Sequence, residues 1–460
     1  MSQRDLTVGP LGGHLVAMAG PAALGMVFTT LYNVVDTFYA GWISTEAQAG
    51  LAVSFTVYMI LVAVGFGLSS GAGALLGGAL GARDPERARK IGAGALCLAA
   101  ALGVALMILG RFATDPALAL LGASEGVADA ARSYLAVLFY ALPSFLIGFT
   151  ANGVLSAQGD TRANRNAQAC AFFVNVGLNP LLIYGAFGVE GLGFNGIAVS
   201  TLISQTGVAV WLVYRAMTSD AMAGASAADF ALTARDALDI AKQAAPSSLT
   251  MLIMMVGAFI VQDHLQPFGA AAVAGFGVAF RVEQLILLPI LSVSFSLMPL
   301  VAQNFGAEDF DRVRQAVTLA AVLAIGMSLI GAVALALGGV AMVRVFTGDE
   351  AAIASGAAYL RMAALMMPAY ASMFLITALL QGVRRPIWSA VIGVYRQNIA
   401  LLAFPPFFIH TMGWGLAGVW AGLFAAVWSG FALSAVLAIF VCRREIGGLR
   451  ADFSALRAAA

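Results

Sequence analysis

Charged residues are scarce in this chain of 460 residues, since Asp, Glu, Lys and Arg together make up only 10% of it. An average globular domain carries about 25%. The 24 basic and 23 acidic residues leave a formal net charge of +1, which gives no basic field for nucleic acid. The composition therefore excludes both an ordinary soluble protein and a nucleic-acid-binding protein.

Cysteine and histidine are scarce as well, with three residues of each in the whole chain. The cysteines stand isolated in apolar runs, and the histidines lack the spacing of metal ligands. This pattern fits neither a disulfide framework nor a zinc site. The chain also lacks a phosphate-binding loop of the P-loop type. We therefore predict no metal, no cofactor and no ATP-driven activity.

Hydrophobic residues dominate instead, at 61% of the chain with a mean hydropathy of +0.91. A membrane-spanning helix needs about 20 apolar residues. Twelve runs meet this length, near 11–41, 47–79, 91–110, 130–157, 166–186, 192–216, 237–262, 270–303, 315–343, 352–381, 387–410 and 414–441. The sequence therefore predicts an all-α polytopic membrane protein with twelve transmembrane helices.

The basic residues between these spans are unevenly distributed. One side of the membrane receives 18 of the 24, whereas the other receives only Arg111, Arg132 and Arg344. Cytoplasmic loops carry the excess of Lys and Arg in membrane proteins. We therefore expect a multi-pass protein of the plasma (inner) membrane with both termini in the cytoplasm.

The chain also resembles itself at an offset of 225 residues. Pro21 then meets Pro246, and Gly50 meets Gly275, within a longer collinear series. Six spans followed by six spans predict two six-helix lobes related as a parallel 6+6 repeat, an architecture of transporters with alternating access. An ancient duplication without mechanical meaning is the alternative.

The repeat sets the predicted domain boundaries. We expect an N-lobe of helices 1–6 at 1–216 and a C-lobe of helices 7–12 at 236–445. The polar segment 217–235 between them is predicted to be a cytoplasmic linker that acts as a flexible tether. Residues 446–460 are predicted to form a cytoplasmic tail.

Only two acidic residues, Asp36 and Glu283, fall well inside the predicted spans. An ionisable group within the bilayer is costly, and by default it is functional. The repeat counterpart of Asp36 is Val261, so this carboxylate belongs to one lobe, as an ion-coupling site would. Tyr32 and Asn33 lie one helical turn earlier and are expected on the same face. A structural Asp bonded to neighbouring polar groups is the alternative.

Two amides in the fifth span form a second polar pair. Asn175 and Asn179 are four residues apart and therefore share one helical face. They could orient a carboxylate or bind a small cation. Alternatively, they could only join helices by hydrogen bonds.

The eighth span carries Arg281 and Glu283, which are two residues apart and therefore face different directions. Each is expected to find a partner elsewhere, and a salt bridge between lobes or a substrate contact would explain them equally well. Arg361 and Arg396 are expected near helix ends, with snorkelling side chains.

Four segments together resemble the MATE (multidrug and toxic compound extrusion) transporters. They are LYNVVDTFYAG in the first span, LSAQGDTR at 155–162, NVGLNPLLIYG in the fifth span and FRVEQLILLPILSVSFSLMPLVAQNFGA in the eighth. The resemblance covers nearly the whole chain and is nearest to the DinF-like branch. It implies two six-helix lobes that export cationic or amphipathic compounds in exchange for inward H⁺ or Na⁺.

The resemblance also implies roles for individual residues. Asp36 would be the coupling residue, and Asn175, Asn179 and Thr201 would complete the ion-coupling site. Tyr32 would join the same site, and Pro21 would be the point at which helix 1 bends.

Two departures from the family pattern bear on the coupling ion. Many relatives have Asp at the position of Asn179, and NorM-like members carry carboxylates in helices 7 and 10 that this chain lacks. Because a Na⁺ site favours more negative charge, we expect H⁺ as the coupling ion, with Na⁺ as the alternative.

The predicted function is that of a secondary active antiporter for multidrug (xenobiotic) efflux, coupled through Asp36. Its expected partners are small organic cations or amphiphiles and the lipid bilayer, with a monomer needing no obligatory protein partner. Substrate contacts are predicted at Tyr32, Asn33, Asp36, Arg281 and Glu283. The alternatives are a flippase for lipid-linked precursors and, more remotely, a membrane-embedded enzyme using Asp36 and Glu283.

Overall fold

The computed structural model describes residues 4–450 apart from 187 and 189. Within that part of the chain, twelve helices are long and apolar enough to cross a membrane. They are α1 (Leu11–Ile43), α2 (Thr45–Gly81), α3 (Pro85–Leu120), α4 (Glu125–Ala157), α5 (Arg162–Tyr184), α6 (Asn195–Met217), α7 (Ala234–Phe268), α8 (Ala270–Gly306), α9 (Phe310–Arg344), α10 (Glu350–Gly382), α11 (Ile387–Thr411) and α12 (Leu416–Glu445). The predicted all-α architecture with twelve spans is confirmed. Most of the predicted tail, from 451 onward, lies outside the described residues.

The internal repeat is visible in the helix boundaries. The bounds of α2 and α8 differ by 225 residues at both ends, and so do those of α4 and α10. The packing follows the same scheme in each half. The second, third and fourth helices pack together, the fourth also packs against the sixth, and the fifth packs against the sixth. Corresponding sequences thus fold into corresponding helix groups.

The turns that begin α3 and α9 have the same local structure in both halves. Asp84 accepts a hydrogen bond from the backbone N–H of Arg87 at 2.9 Å, and Asp309 accepts one from Arg312 at 3.0 Å. Such caps satisfy backbone donors that the first helical turn leaves free. The preceding residues of both turns, Arg83 and Glu308, have left-handed φ values of 56° and 58°.

Glycine permits a close helix approach at the same place in each half. A Cβ atom added to Gly50 in α2 would lie 2.7 Å from Ala130 Cβ in α4. At its repeat counterpart Gly275 in α8, the added atom would lie 2.3 Å from the Ala352 carbonyl oxygen in α10. Small residues allow backbones to approach in membranes, where packing contacts drive helix association.

Two compact units divide the chain. Unit 1 comprises Pro21–Ser248 with the described residues before Leu6, and unit 2 comprises Leu6–Gly20 with the described residues from Leu249 onward. The divisions therefore fall inside α1 and α7, next to Pro21 and shortly after Pro246. The predicted linker 217–235 falls within unit 1.

The segment predicted to be the linker is folded against α3 in this structure. It forms short 3-10 helices at Asp220–Met222 and Ala227–Phe230. Met222 is buried, and its sulfur lies against Gly92 of α3. Hydrogen bonds from the Ser226 backbone and hydroxyl lower the pKa of the exposed Asp229 carboxyl. Apolar contacts hold the segment against α3, and this cap stabilises the start of its second short helix.

One of the spanning helices departs from α geometry where polar residues cluster. In α11 the segment Tyr395–Ile399 is π-helical, and so is Phe407–Thr411 after the Pro405–Pro406 pair. Such segments often occur at functional sites. The first of them carries Arg396, Gln397 and Asn398.

Candidate functional site

A buried carboxylate organises the polar interior of unit 1. Asp36 lies on α1, and only 5% of it is exposed. Helices α5 and α6 run beside it and pack closely against each other. Both helices direct polar side chains towards this carboxylate within an otherwise apolar interior, which makes it the centre of the candidate site.

Helix α5 supplies two amide donors to one oxygen. Asn175 Nδ2 donates to Asp36 Oδ1 at 3.0 Å, and Asn179 Nδ2 donates to the same atom at 2.9 Å. Both amides are fully buried, and their spacing of four residues places them one turn apart on the same face. Asn179 also donates to Asn175 Oδ1 at 3.2 Å, which fixes the two amides relative to each other.

Helix α6 supplies hydroxyls to the other side. Thr201 Oγ1 donates to Asp36 Oδ2 at 3.2 Å, and Tyr32 Oη donates to Thr201 Oγ1 at 3.1 Å. Tyr32 Oη is also 2.7 Å from Ser204 Oγ. Ser200 Oγ in turn accepts from Asn175 Nδ2 at 3.3 Å. The carboxylate thus belongs to one continuous hydrogen-bond network across α1, α5 and α6.

The network is electrically unbalanced. Within the described residues, every group that hydrogen-bonds to Asp36 is a neutral amide or hydroxyl. A buried charge without a counter-charge is costly, even when hydrogen bonds satisfy part of its demand. The arrangement can therefore bind a positive charge, either as a proton on the carboxylate or as a small cation beside it.

One acceptor in this network stays unused. Asn179 Oδ1 is buried, and it has no hydrogen-bond partner among the described residues. Because buried polar atoms nearly always have partners, an orphan acceptor next to a carboxylate suggests a second state of the site.

The structure brings most of the predicted first-lobe residues together and leaves two apart. Tyr32, Asp36, Asn175, Asn179 and Thr201 form the network described above. Asn33 does not join it, since its side chain is exposed although it lies three residues before Asp36. Pro21 lies fifteen residues earlier, at the boundary between the two units.

Glu283 forms a separate polar centre in unit 2. It is 1% exposed, and its Oε2 accepts a hydrogen bond from Tyr359 Oη of α10 at 2.5 Å. Its Oε1 is buried without a partner among the described residues. The positive charge of Arg396 acts on Glu283 from α11, where its guanidinium lies 5.5 Å from the Tyr370 ring centroid.

Of the two arginines Arg281 and Arg396 in unit 2, one lies where it was expected and the other does not. Arg281 is exposed and directed away from Glu283, in agreement with their two-residue spacing. Arg396 was expected near a helix end, which is wrong, because it is the tenth residue of α11 and packs against Gly430 of α12. The side chain is half-buried, its guanidinium lies over the Tyr370 ring, and the Glu283 carboxylate offsets part of its charge.

Several residues of these centres are hard to identify from the sequence. Ser200 and Ser204 flank Thr201 on α6, and their spacing of four residues in an apolar helix could have revealed them. Tyr359 stands out only as the repeat partner of Tyr134. Nothing in the sequence pairs Arg396 with a residue more than one hundred positions away.

Known proteins resemble this chain in sequence and fold. An FAD transporter of Shewanella oneidensis is 29% identical over 323 residues, which are 69% of this chain and 70% of that protein. The multidrug export protein MepA of Staphylococcus aureus is 24% identical over 432 residues, 93% of each chain. A solved multidrug resistance MATE family transporter of the MOP superfamily, in an outward-facing conformation, superposes with a TM-score of 0.88 at 24% identity. That match covers 98% of this chain and 100% of the other.

The sequence profile of the MatE family matches the chain twice, over residues 21–181 and 246–404. The two matches begin 225 residues apart, at Pro21 and Pro246, so each falls on one copy of the repeat. The matched ranges together cover more than half of the chain. The protein therefore belongs to the MatE family, which is a family of membrane transporters and not of enzymes.

Proposed function

We propose that this protein is a secondary active exporter of amphipathic organic compounds, driven by the inward movement of H⁺ through Asp36. The observation that carries the proposal is a buried carboxylate, 5% exposed, whose hydrogen-bond donors in the described chain are all neutral. Such a group is stable when it takes up a positive charge and costly when it is left ionised. Binding and release of that charge can therefore drive a conformational cycle.

The orphan oxygen of Asn179 supports a proton as the coupling ion. When Asp36 is ionised, Asn179 donates its N–H to the carboxylate at 2.9 Å. A protonated Asp36 needs an acceptor instead. Rotation of the Asn179 amide by a half-turn brings its unused Oδ1 to the place of Nδ2 and breaks the hydrogen bond from Nδ2 to Asn175 Oδ1. One side chain can thus serve both protonation states.

The same geometry disfavours Na⁺. A hard cation needs several oxygen ligands, preferably with more than one negative charge. Here two N–H donors occupy Asp36 Oδ1, and a hydroxyl donates to Oδ2. A bound Na⁺ would compete with these donors for the carboxylate oxygens and would gain only one negative charge.

The relatives support a broad substrate class. MepA is a multidrug export protein, YoeA of Bacillus subtilis is a probable multidrug resistance protein, and the Shewanella relative is an FAD transporter. Proteins similar to this chain thus differ in what they transport, which favours a class of small molecules over a single compound. We assign small-molecule substrates of this broad kind to the chain, as multidrug efflux.

Alternating access would use the proline in α1. Pro21 lacks a backbone N–H, so the carbonyl of Ala17 loses its usual helical partner. The division between the two units falls at this residue, and we assign to it the bending of α1. Eighteen basic residues on one side support a cytoplasmic location of both termini at the plasma membrane. Asp36, as the one acid well inside the predicted spans of the first half, agrees with the DinF-like branch.

The decisive experiment compares the wild type with Asp36→Asn in proteoliposomes. Ethidium efflux is followed under an imposed pH gradient and, separately, under a Na⁺ gradient. Asn keeps the size of the side chain but cannot carry a proton. We expect the wild type to respond to the pH gradient alone and the variant to lose that response, with normal yield and melting temperature.

Asn33→Ala is the matched control, because Asn33 lies on the same helix but is exposed and outside the network. It should retain the pH response. Proton-driven efflux by Asp36→Asn at the wild-type rate would overturn the proposal. A response of the wild type to Na⁺ instead would assign the site to that ion.

A further inference from the structure

Ionisable side chains inside the spans divide sharply by accessibility. The two acids, Asp36 and Glu283, are 5% and 1% exposed. Two of the three basic side chains, Arg281 and Arg361, are exposed. Away from the helix ends, the charged groups that the described spans expose are therefore positive, whereas an exporter of organic cations would be expected to offer the opposite sign.

Arg281 lies on a polar face of α8. It is the twelfth residue of that helix, about 16 Å from its start. Gly277 and Gln284 are exposed one turn before and after it, so the three share one stripe. Phe280 and Leu285 beside them are 39% and 49% exposed. The stripe thus combines a guanidinium, an amide and an aromatic ring.

Arg361 offers a comparison within the same unit. It is the twelfth residue of α10 and is also exposed. Its exposed neighbours on that helical face are Ala354 and Leu365, both apolar. An arginine among apolar neighbours fits a side chain that extends along lipid to the membrane surface. Gln284 makes the face of Arg281 different, because a second polar group there favours contact with water.

The Arg281 guanidinium also forms no ion pair within the described chain. No carboxylate of the described chain lies within ion-pair distance of it, whereas the buried Glu283 interacts with Tyr359 and Arg396. A guanidinium has a planar array of donors that matches carboxylate and phosphate groups bidentately, and it stacks on aromatic rings. These are the features of a site for an anionic group attached to an aromatic body.

We propose that Arg281, with Gln284 and Phe280, binds the phosphate or carboxylate of an amphipathic anion, and that such anions are substrates of this transporter. The inference rests on the proposed export function and specifies its substrate class. Arg281 determines specificity in unit 2, while Asp36 carries the proton in unit 1.

Transport of an anion has an electrical consequence that transport of a cation lacks. Export of a monovalent cation against one entering H⁺ moves no net charge. Export of a phosphate monoester, which carries about −1.5 to −2 charges at pH 7, against one entering H⁺ moves positive charge inwards. An inside-negative membrane potential should therefore accelerate export of the anion and leave export of the cation unchanged.

A binding experiment on the full chain in detergent tests the site directly. Riboflavin 5′-phosphate and riboflavin share one ring system and differ by the phosphate, and both are followed by flavin fluorescence. We expect the phosphate form to bind about tenfold more tightly. Arg281→Gln should abolish this difference, Arg281→Lys should keep part of it, and Arg361→Gln should leave it unchanged. Equal affinities in the wild type, or an equal loss in Arg361→Gln, would overturn the inference.

A transport experiment separates the inference from the proposed function. Proteoliposomes are loaded with riboflavin 5′-phosphate, riboflavin or ethidium, and a valinomycin–K⁺ potential is set. If protons drive the export of ethidium but not of the flavin phosphate, the proposed function stands and the inference is rejected. If the protein binds the phosphate form selectively but exports no probe in response to protons, the proposed function is rejected and the binding site stands. A fluorescent anionic phospholipid distinguishes the source of the anion, since its movement in place of the flavin phosphate assigns Arg281 to a lipid headgroup.

Discussion

Asn179 donates its amide N–H to Asp36 Oδ1 across 2.9 Å, while its own buried Oδ1 has no partner in the described chain. The amide N–H therefore stabilises the ionised carboxylate, and the unused amide oxygen can accept a hydrogen bond from the protonated one. This arrangement is more informative than a buried acid alone, because the acceptor that is unsatisfied beside the ionised carboxylate is the one that a protonated Asp36 needs. Substitutions at this position follow from that geometry.

Asn179→Asp should add Na⁺ dependence to transport. The substitution places a second carboxylate at hydrogen-bond distance from Asp36 Oδ1 and removes an N–H donor. Two adjacent carboxylates repel unless a proton or cation lies between them. We expect efflux by this variant to be stimulated by a Na⁺ gradient, as measured in proteoliposomes. Asn33→Asp, at an exposed position on α1, is the control and should show no such gain. An Asn179→Asp variant indifferent to Na⁺ would argue against this account of ion preference.

Thr201→Val should slow proton-driven efflux by about tenfold and lower stability by about 1–3 kcal/mol. Valine keeps the shape of threonine but removes the hydroxyl that donates to Asp36 Oδ2 and accepts from Tyr32. Efflux rates and thermal unfolding in detergent measure the two effects. Thr29→Val is a suitable control, since that hydroxyl donates only to the Gly25 carbonyl within α1. Equal effects of the two substitutions would show that the contact with Asp36 is unimportant.

Glu283→Gln should destabilise unit 2 by about 1–3 kcal/mol, because it weakens the buried hydrogen bond from Tyr359 and removes the negative charge near Arg396. Glu283→Gln combined with Arg396→Gln should recover much of that loss, and a double-mutant cycle on the free energy of unfolding gives the coupling. Glu350→Gln breaks the exposed pair with Arg344 and should cost only about 0–1 kcal/mol. Strictly additive effects of the first two substitutions would mean that their charges are not coupled.

Gly275→Ala should destabilise the contact between α8 and α10. Its Cβ would lie 2.3 Å from the Ala352 carbonyl oxygen, so the helices must separate. Overpacking of this kind costs about 1–3 kcal/mol. Gly277→Ala, two residues along the same helix, meets nothing within 4 Å and should be neutral or stabilising. The melting temperatures of the two variants in detergent provide the comparison, and equal values would contradict the packing effect.

The fold was largely predictable because hydropathy, the property that most constrains it, can be read along the chain. A span of about 20 apolar residues has few options in a bilayer other than a helix. The pairs Pro21–Pro246 and Gly50–Gly275 then indicated a repeat, since helix bending and close helix approach need the same residue types in both halves. The packing of the linker against α3 was not predicted, because the burial of Met222 against Gly92 depends on contacts that the polar composition of the segment conceals.

The first-lobe site was predicted in part for a similar reason. Asp36 stood out as a charge inside an apolar run, and Asn175 and Asn179 stood out by their helical spacing. Asn33 has a spacing as favourable as that of Tyr32, yet it is exposed. Periodicity identifies residues on one side of a helix but does not say which edge of that side another helix covers.

By itself, the sequence determined the twelve spans, the internal repeat and the isolation of Asp36 as a carboxylate in one half, because hydropathy and residue identity act locally along the chain. The tertiary structure decided the rest. It surrounded Asp36 with neutral donors from α5 and α6, gave Glu283 its partners Tyr359 and Arg396, and left Arg281 exposed beside Gln284. Charge balance and accessibility depend on which helices become neighbours, and that is a property of packing between segments distant in sequence.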